Sequence, residues 1–172
     1  DTPIVSSGEG GSTSTYMVPQ NDSMGTSWTE LDFDDSNWET GTNGFGFDDR
    51  SNFDDHFVTR VKPRETASRA TTLLTRTDFQ VPDLNAFQDE SLVLRLKYDD
   101  GFVAYLNGKR VAHRNLASKP TEPQSWNSRA RPRLNASAIL FEDFDLTEYK
   151  HLLVEGTNVL ALRGLNSSAA NL

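Results

Sequence analysis

The sequence predicts an all-β fold, an antiparallel β-sandwich with one or two short helical turns. Three observations carry that expectation. The first is Asp99-Asp100-Gly101-Phe102-Val103-Ala104-Tyr105-Leu106-Asn107-Gly108-Lys109-Arg110-Val111, two alternating runs joined by Asn-Gly. That dipeptide accepts positive φ at both central positions of a type I′ turn and is the strongest short-range hairpin signal. The second is the strict alternation over Ser91–Tyr98, where Leu92, Leu94, Leu96 and Tyr98 interleave with Val93, Arg95 and Lys97. One face is built for a core and the other for water. The third is the spacing of short apolar runs between Gly, Asn and Pro clusters, the pattern of sandwiches and barrels.

Taken in order, the expected strands are 16–19, 28–31, 45–47, 71–81, 91–98, 102–107, 109–114, 139–146 and 158–165. Residues 1–15, rich in Ser, Thr and Gly, read as a linker or poorly ordered lead-in, so the sandwich domain is expected over 16–172. Helix signals are local. Asp34-Asp35-Ser36 offers a cap for one turn ending at Trp38, and Thr147 offers a cap for a turn that stops near Gly156. With 172 residues the chain is long enough to bury a core without staples. Its 17 aromatic residues offset a mean hydropathy of -0.59. Aromatic side chains bury on the order of 150–250 Å² each.

Composition narrows the function classes. The absence of cysteine removes disulfides, thiolate metal sites and thiol chemistry. No apolar run approaches the length of a membrane span, so membrane insertion is not expected. The net charge of -8 argues against a nucleic-acid partner. The charge is uneven: residues 1–58 hold twelve acids and one base, whereas residues 59–172 hold thirteen acids and sixteen bases. The acidic third suits a cation and the basic remainder suits an anionic ligand.

Catalytic patterns are missing. His56, His113 and His151 fall in no metal-ligand spacing and read as surface or satisfied histidines. Asp99-Asp100 sits before a turn glycine, where carboxylates bond to nearby backbone. No nucleophile elbow and no phosphate-cradling glycine loop occurs, so the chain is expected not to be an enzyme.

Three segments taken together carry a family resemblance. They are Trp28…Leu31-Asp32-Phe33-Asp34-Asp35-Ser36-Asn37-Trp38…Gly41…Gly44-Phe45-Gly46-Phe47, then Asp99 to Gly108 as above, then Leu153-Val154-Glu155-Gly156-Thr157-Asn158-Val159-Leu160-Ala161-Leu162. The chain resembles the galactose-binding-like jelly-roll modules of large secreted bacterial proteins, a carbohydrate-binding-module type often attached to polysaccharide-degrading enzymes. It is also similar to the sugar-binding β-domains of some glycosidases. The resemblance implies a jelly-roll sandwich, polysaccharide or oligosaccharide as ligand, other domains of the same parent protein as partners, and a secreted or cell-surface location. Such modules usually run on past a segment like 164–172 into a last strand, so either the sequence is trimmed there or a strand position is left open at a sheet edge. A contact or assembly role through that edge is the alternative reading.

The resemblance also adds weight to a structural Ca2+ in the acidic third, with Asp34, Asp35, Asp48 and Asp49 as candidate ligands. Asp34-Asp35-Ser36 reads equally as a helix cap. Trp28 and Trp38 are expected in the core. Trp126 lies in the strand-poor stretch 116–134 and has two readings, a stacking platform for a sugar ring or an anchor for its own loop. The flanking Lys109, Arg114, Arg129 and Arg131 suit the carboxylate or sulfate of an acidic glycan. They also suit a solvated loop that pairs with the acidic third.

Overall fold

The computed structural model describes residues 3–46, 54–61, 70–132 and 135–168. The chain is all-β. Its strands are β1 (Thr13–Met17), β2 (Glu39–Thr42), β3 (Phe45–Gly46), β4 (Thr59–Arg60), β5 (Thr72–Val81), β6 (Val93–Leu96), β7 (Gly101–Leu106), β8 (Lys109–Arg114), β9 (Glu142–Asp145) and β10 (Gly156–Leu165). Six of them form one antiparallel sheet in the order β2-β1-β5-β10-β7-β8. β6 and β9 form a second antiparallel layer, and β3 and β4 make a short parallel pair.

The hairpin expected at Asn107-Gly108 is present. Leu106 pairs with Lys109, and the two turn residues adopt φ of 47° and 83°. Only the second needs glycine, because a Cβ at Gly108 would also run into the carboxylate of Glu30. Gly101 is fixed by proximity instead. A Cβ there would lie 2.8 Å from both Ala130 Cβ and the Arg114 carbonyl oxygen.

β7 is buried along its whole length, because both faces of the large sheet are covered. On one face Phe102, Ala104 and Leu106 pack with Phe144, Leu146 and Leu153, under the β6–β9 layer. On the other, Val103 and Tyr105 pack with Trp28, Leu116 and Ala130. Each large side chain removed from water contributes about 1.5–3 kcal/mol, so the two clusters hold three layers together. The β6 alternation behaves as expected: Leu94 and Leu96 turn inward, and Arg95 forms a forked pair with Asp143 at 2.6 and 2.8 Å. That pairing holds the Asp143 carboxyl below the usual aspartate range.

Several expectations are corrected. Trp28–Leu31 is not a strand; a 3-10 turn spans Ser27–Thr29 and drops the Trp28 indole into the core, fully buried. Both Trp28 and Thr29 are fully buried there, whereas an alternating half-buried strand would bury only one of two adjacent side chains. β1 begins at Thr13, so the expected lead-in gives up its last residues to the sheet, and Gly8 N–H reaches the Asn43 carbonyl at 3.1 Å. Asp34-Asp35-Ser36 caps no helix: Asp34 Oδ1 accepts from Ser36 N–H at 3.0 Å in a local turn. The helical turn at Thr147–Leu152 is a 3-10 turn whose first N–H is taken by Asp145 Oδ1 at 2.9 Å, not by Thr147. Thr147 Oγ1 instead accepts from Leu92 N–H. Strands β2 and β4, a 3-10 turn at Leu84–Phe87 and the one-turn helix α1 (Asn135–Ala138) had no sequence signal. β10 is paired on both sides, to β5 and to β7, so no strand position lies open beside it. The edges of the large sheet are β2 and β8.

Candidate functional site

The basic segment begins on edge strand β8. Its pairing with β7 matches Ala104 to Ala112 and Tyr105 to Arg110, which leaves Val111 as an extra residue. The bulge changes which face each side chain takes. In an unbroken strand Arg110 and His113 would point to opposite faces. Here they pair with Tyr105 and Val103 and so share one. Arg114, paired with Phe102, takes the other.

Asn115 then turns the chain off the sheet with φ of 59°, a value asparagine tolerates. Its amide donates to the Asp100 and Arg131 carbonyls at 2.9 and 2.5 Å. Leu116 pairs with Ala130 in an isolated antiparallel bridge, which closes the base of a long loop. Because Ala130 is buried, its neighbours Arg129 and Arg131 are left exposed on either side.

This loop is a fixed cover rather than a solvated tether. Trp126 N–H donates to Asp22 Oδ1 at 2.6 Å, and its carbonyl accepts from Thr72 Oγ1 at 2.7 Å. Thr71 Oγ1 holds the Ser128 carbonyl at 2.6 Å. Buried Arg163 donates to the Ser125 carbonyl at 2.5 Å and lies 5.6 Å from the Trp28 ring. Arg110 reaches the Pro120 carbonyl. Trp126 is thus pinned through its backbone while its side chain stays half-exposed.

Between β8 and this loop lies a cavity of about 380 Å³, lined by residues 113–120 and Arg131. That volume suits a small polar ligand or one residue of a longer chain. Its described lining residues include His113, Arg114, Lys119 and Arg131 and no Asp or Glu. The structure therefore brings Arg114 and Arg131 to one cavity and leaves Trp126, Arg129 and Lys109 outside its lining. Arg114 is partly committed: Nε donates to Glu142 Oε1 at 2.9 Å, and its guanidinium sits 4.7 Å from the Phe144 ring. Arg129 and Lys109 are exposed.

His113, which the sequence reads as a surface or satisfied histidine, also lines the cavity. It is half-buried, and burial together with Arg110 and Arg114 holds its pKa below the ordinary histidine value. The alternation of β8 alone does not reveal it, because the bulge decides its face.

The acidic candidates lie elsewhere. Asp35 Oδ2 accepts from Arg76 Nε at 2.8 Å and from Thr15 Oγ1 at 2.7 Å. Asp34 is exposed, and its bonds to Ser36 hold its carboxyl below the usual range. Asp48 and Asp49 lie outside the described residues. Among the described residues no three His, Asp or Glu side chains converge as a metal-holding group. Asp100, of the pair before the hairpin, accepts from Ser167 N–H at 2.7 Å, a structural bond.

These features define a β-sandwich module with a cationic cavity at one sheet edge, and modules of this fold occur inside much larger enzymes. The chain is similar to part of a Bacteroides uniformis β-glucuronidase, with a TM-score of 0.53 at 16% identity over 91% of this chain and 14% of that one. An uncultured Clostridium sp. β-glucuronidase gives 0.52 at 17% identity, covering 90% of this chain and 21% of that one. The β-glucuronidase of Ruminococcus gnavus gives 0.52 at 10% identity, covering 90% and 20%. The chain spans between 14% and 21% of these enzymes' lengths, and at such identities the likeness is one of fold. No protein-family model matches the chain, and no curated protein matches it in sequence.

Proposed function

We propose that the chain is a non-catalytic carbohydrate-binding module of a larger secreted bacterial protein, of galactose-binding-like jelly-roll type, and that it binds acidic polysaccharide. The observation that carries this reading is the cavity beside β8, whose described lining residues include His113, Arg114, Lys119 and Arg131 and no Asp or Glu. Guanidinium groups match the two-oxygen geometry of carboxylates and sulfates. A polysaccharide is long enough to seat one anionic residue in the cavity and extend beyond it over the exposed Arg129. The clamps on the Trp126 backbone remove the loop's share of the ordering cost on binding.

The two kinds of contact respond differently to salt. Arg131→Ala and Arg129→Ala are expected to weaken binding of an acidic glycan mainly at low ionic strength, since the Debye length shrinks to about 8 Å at physiological salt. Trp126→Ala is expected to weaken it at every ionic strength, because stacking and burial are barely screened. Calorimetric titration with a polyuronate at two salt concentrations separates the two effects. A Trp126→Ala protein that unfolds like wild type and binds like wild type would remove that residue from the site.

The second reading is a contact or assembly module, favoured by the two sheet edges at β2 and β8. It takes over if no glycan binds, and light scattering should then show self-association with rising concentration.

A structural calcium is a separate proposal, resting on the crowding of acids in the first third and drawing on Asp34, Asp35, Asp48 and Asp49. It competes with the ion pair that already occupies Asp35 Oδ2. A ligand bound to the native state alone raises stability by mass action. The Tm is therefore expected to fall with chelator and recover with added calcium; a Tm indifferent to both contradicts the proposal.

A further inference from the structure

The cavity contains one group whose charge changes near neutrality. His113 opens its lining, half-buried on an edge strand, and the charged residues among the described lining are all cationic. On its own strand Arg110 shares its face and Arg114 follows it in the chain. From the loop come Lys119 and Arg131. Two strands inward, along the cross-strand row His113–Val103–Arg163, lies the buried Arg163. Two acids lie close to this end of β8. Glu142 on β9 is taken up by Arg114 Nε and by the Tyr98 hydroxyl at 2.6 Å. Asp100, whose carbonyl accepts from the lining residue Asn115, accepts from Ser167 N–H through its carboxylate. His113 itself is given no acidic neighbour by the cavity.

We propose that His113 is the proton switch of this cavity, so that an anionic glycan group is bound together with a proton on the His113 imidazole. The proposal rests on the acidic-glycan reading above and adds its regulation. In the free protein a proton on His113 would add a like charge to a cationic, partly desolvated cavity, so the neutral ring is favoured. A sulfate or carboxylate seated among the same groups reverses the local sign, and the protonated ring then becomes an additional donor. Binding raises the His113 pKa, and by reciprocity protonation raises affinity.

The sign for the free protein is opposite. A histidine whose folded pKa is depressed contributes stability that is present above its unfolded value of about 6.5 and is lost as pH falls through the lower folded value. Acidification thus weakens the unliganded fold slightly while it strengthens binding.

Dextran sulfate is the probe for the test, because its sulfates stay ionised throughout the range and the histidine charge is the variable. Affinity for the intact chain is expected to rise about tenfold between roughly pH 7.5 and pH 5.5, up to one proton taken up per site. His113→Gln is expected to flatten that rise, and His151→Gln, on a remote 3-10 turn, is expected to keep it. In NMR titrations the His113 imidazole should titrate at higher pH with dextran sulfate present than without it. A wild-type affinity that is flat with pH, or a rise that survives in His113→Gln, overturns the switch and leaves the glycan reading standing. No binding at any pH overturns both.

Discussion

Replacing Arg76 with methionine is expected to cost about 3–5 kcal/mol, the loss typical of breaking a buried ion pair from one side. A domain of this kind has about 5–15 kcal/mol of stability in total, so the unfolding midpoint in urea should fall far or the protein should not fold. Arg76 projects from β5 and is only 3% exposed. Its Nε holds Asp35 at 2.8 Å, and its Nη1 donates to the Trp28 and Glu30 carbonyls at 2.6 and 2.9 Å. The guanidinium also lies 5.4 Å from the Phe33 ring. One side chain thus fastens the whole 28–35 segment onto the sheet and keeps Trp28 over Tyr105. Methionine fills much of the volume but leaves Asp35 Oδ2 with the Thr15 hydroxyl in place of the ion pair, and takes the guanidinium bonds from the Trp28 and Glu30 carbonyls. Lysine keeps the charge and loses the fork, so Arg76→Lys should fall between wild type and Arg76→Met. A methionine variant as stable as wild type would mean that the segment is held by packing alone.

The second large effect is expected at Asn158. It is completely buried at the start of β10, and its side-chain amide is fully used. Oδ1 accepts from Val154 N–H and Asn107 Nδ2 at 2.9 and 2.8 Å, while Nδ2 donates to the Val154 and Gly156 carbonyls at 2.8 and 3.1 Å. Asn107 completes the network by donating to the Leu152 carbonyl and accepting from Val159 N–H, both at 2.8 Å. The hairpin turn and the entry to β10 are therefore one unit. Asn158→Leu matches the size and strands several buried polar groups, each costing about 1–3 kcal/mol, so a loss of roughly 2–4 kcal/mol is expected after relaxation. A double-mutant cycle with Asn107 should show strong coupling. Additive effects would show that the two amides act independently.

These two residues mark where the sequence is readable and where it is not. The hairpin was legible because Asn107-Gly108 carries its own conformational preference, and β6 because its period is local. The partners of that same Asn107 were not legible, because they lie 45 and 51 residues away. Asp35 shows what the sequence leaves out at the site. In sequence it sits in an acidic cluster; in space one of its oxygens meets Arg76, 41 residues on. Composition could locate the basic stretch after β8 but not the bulge at Val111, and the bulge puts His113 beside Arg110. Trp126 was identifiable as an aromatic in a long loop. The bonds that fix it come from Asp22 and Thr72, remote in the chain, and use its backbone rather than its ring.

The central claim is that the cationic cavity beside β8 binds acidic glycan. Affinity electrophoresis of the wild-type chain and Arg131→Ala through gels of neutral, uronate-containing and sulfated polysaccharides tests it most directly. The account predicts that acidic gels retard the wild-type chain more than neutral ones, and that Arg131→Ala loses much of that retardation at low salt with its unfolding midpoint unchanged. Equal mobility of the wild-type chain in every gel would contradict it.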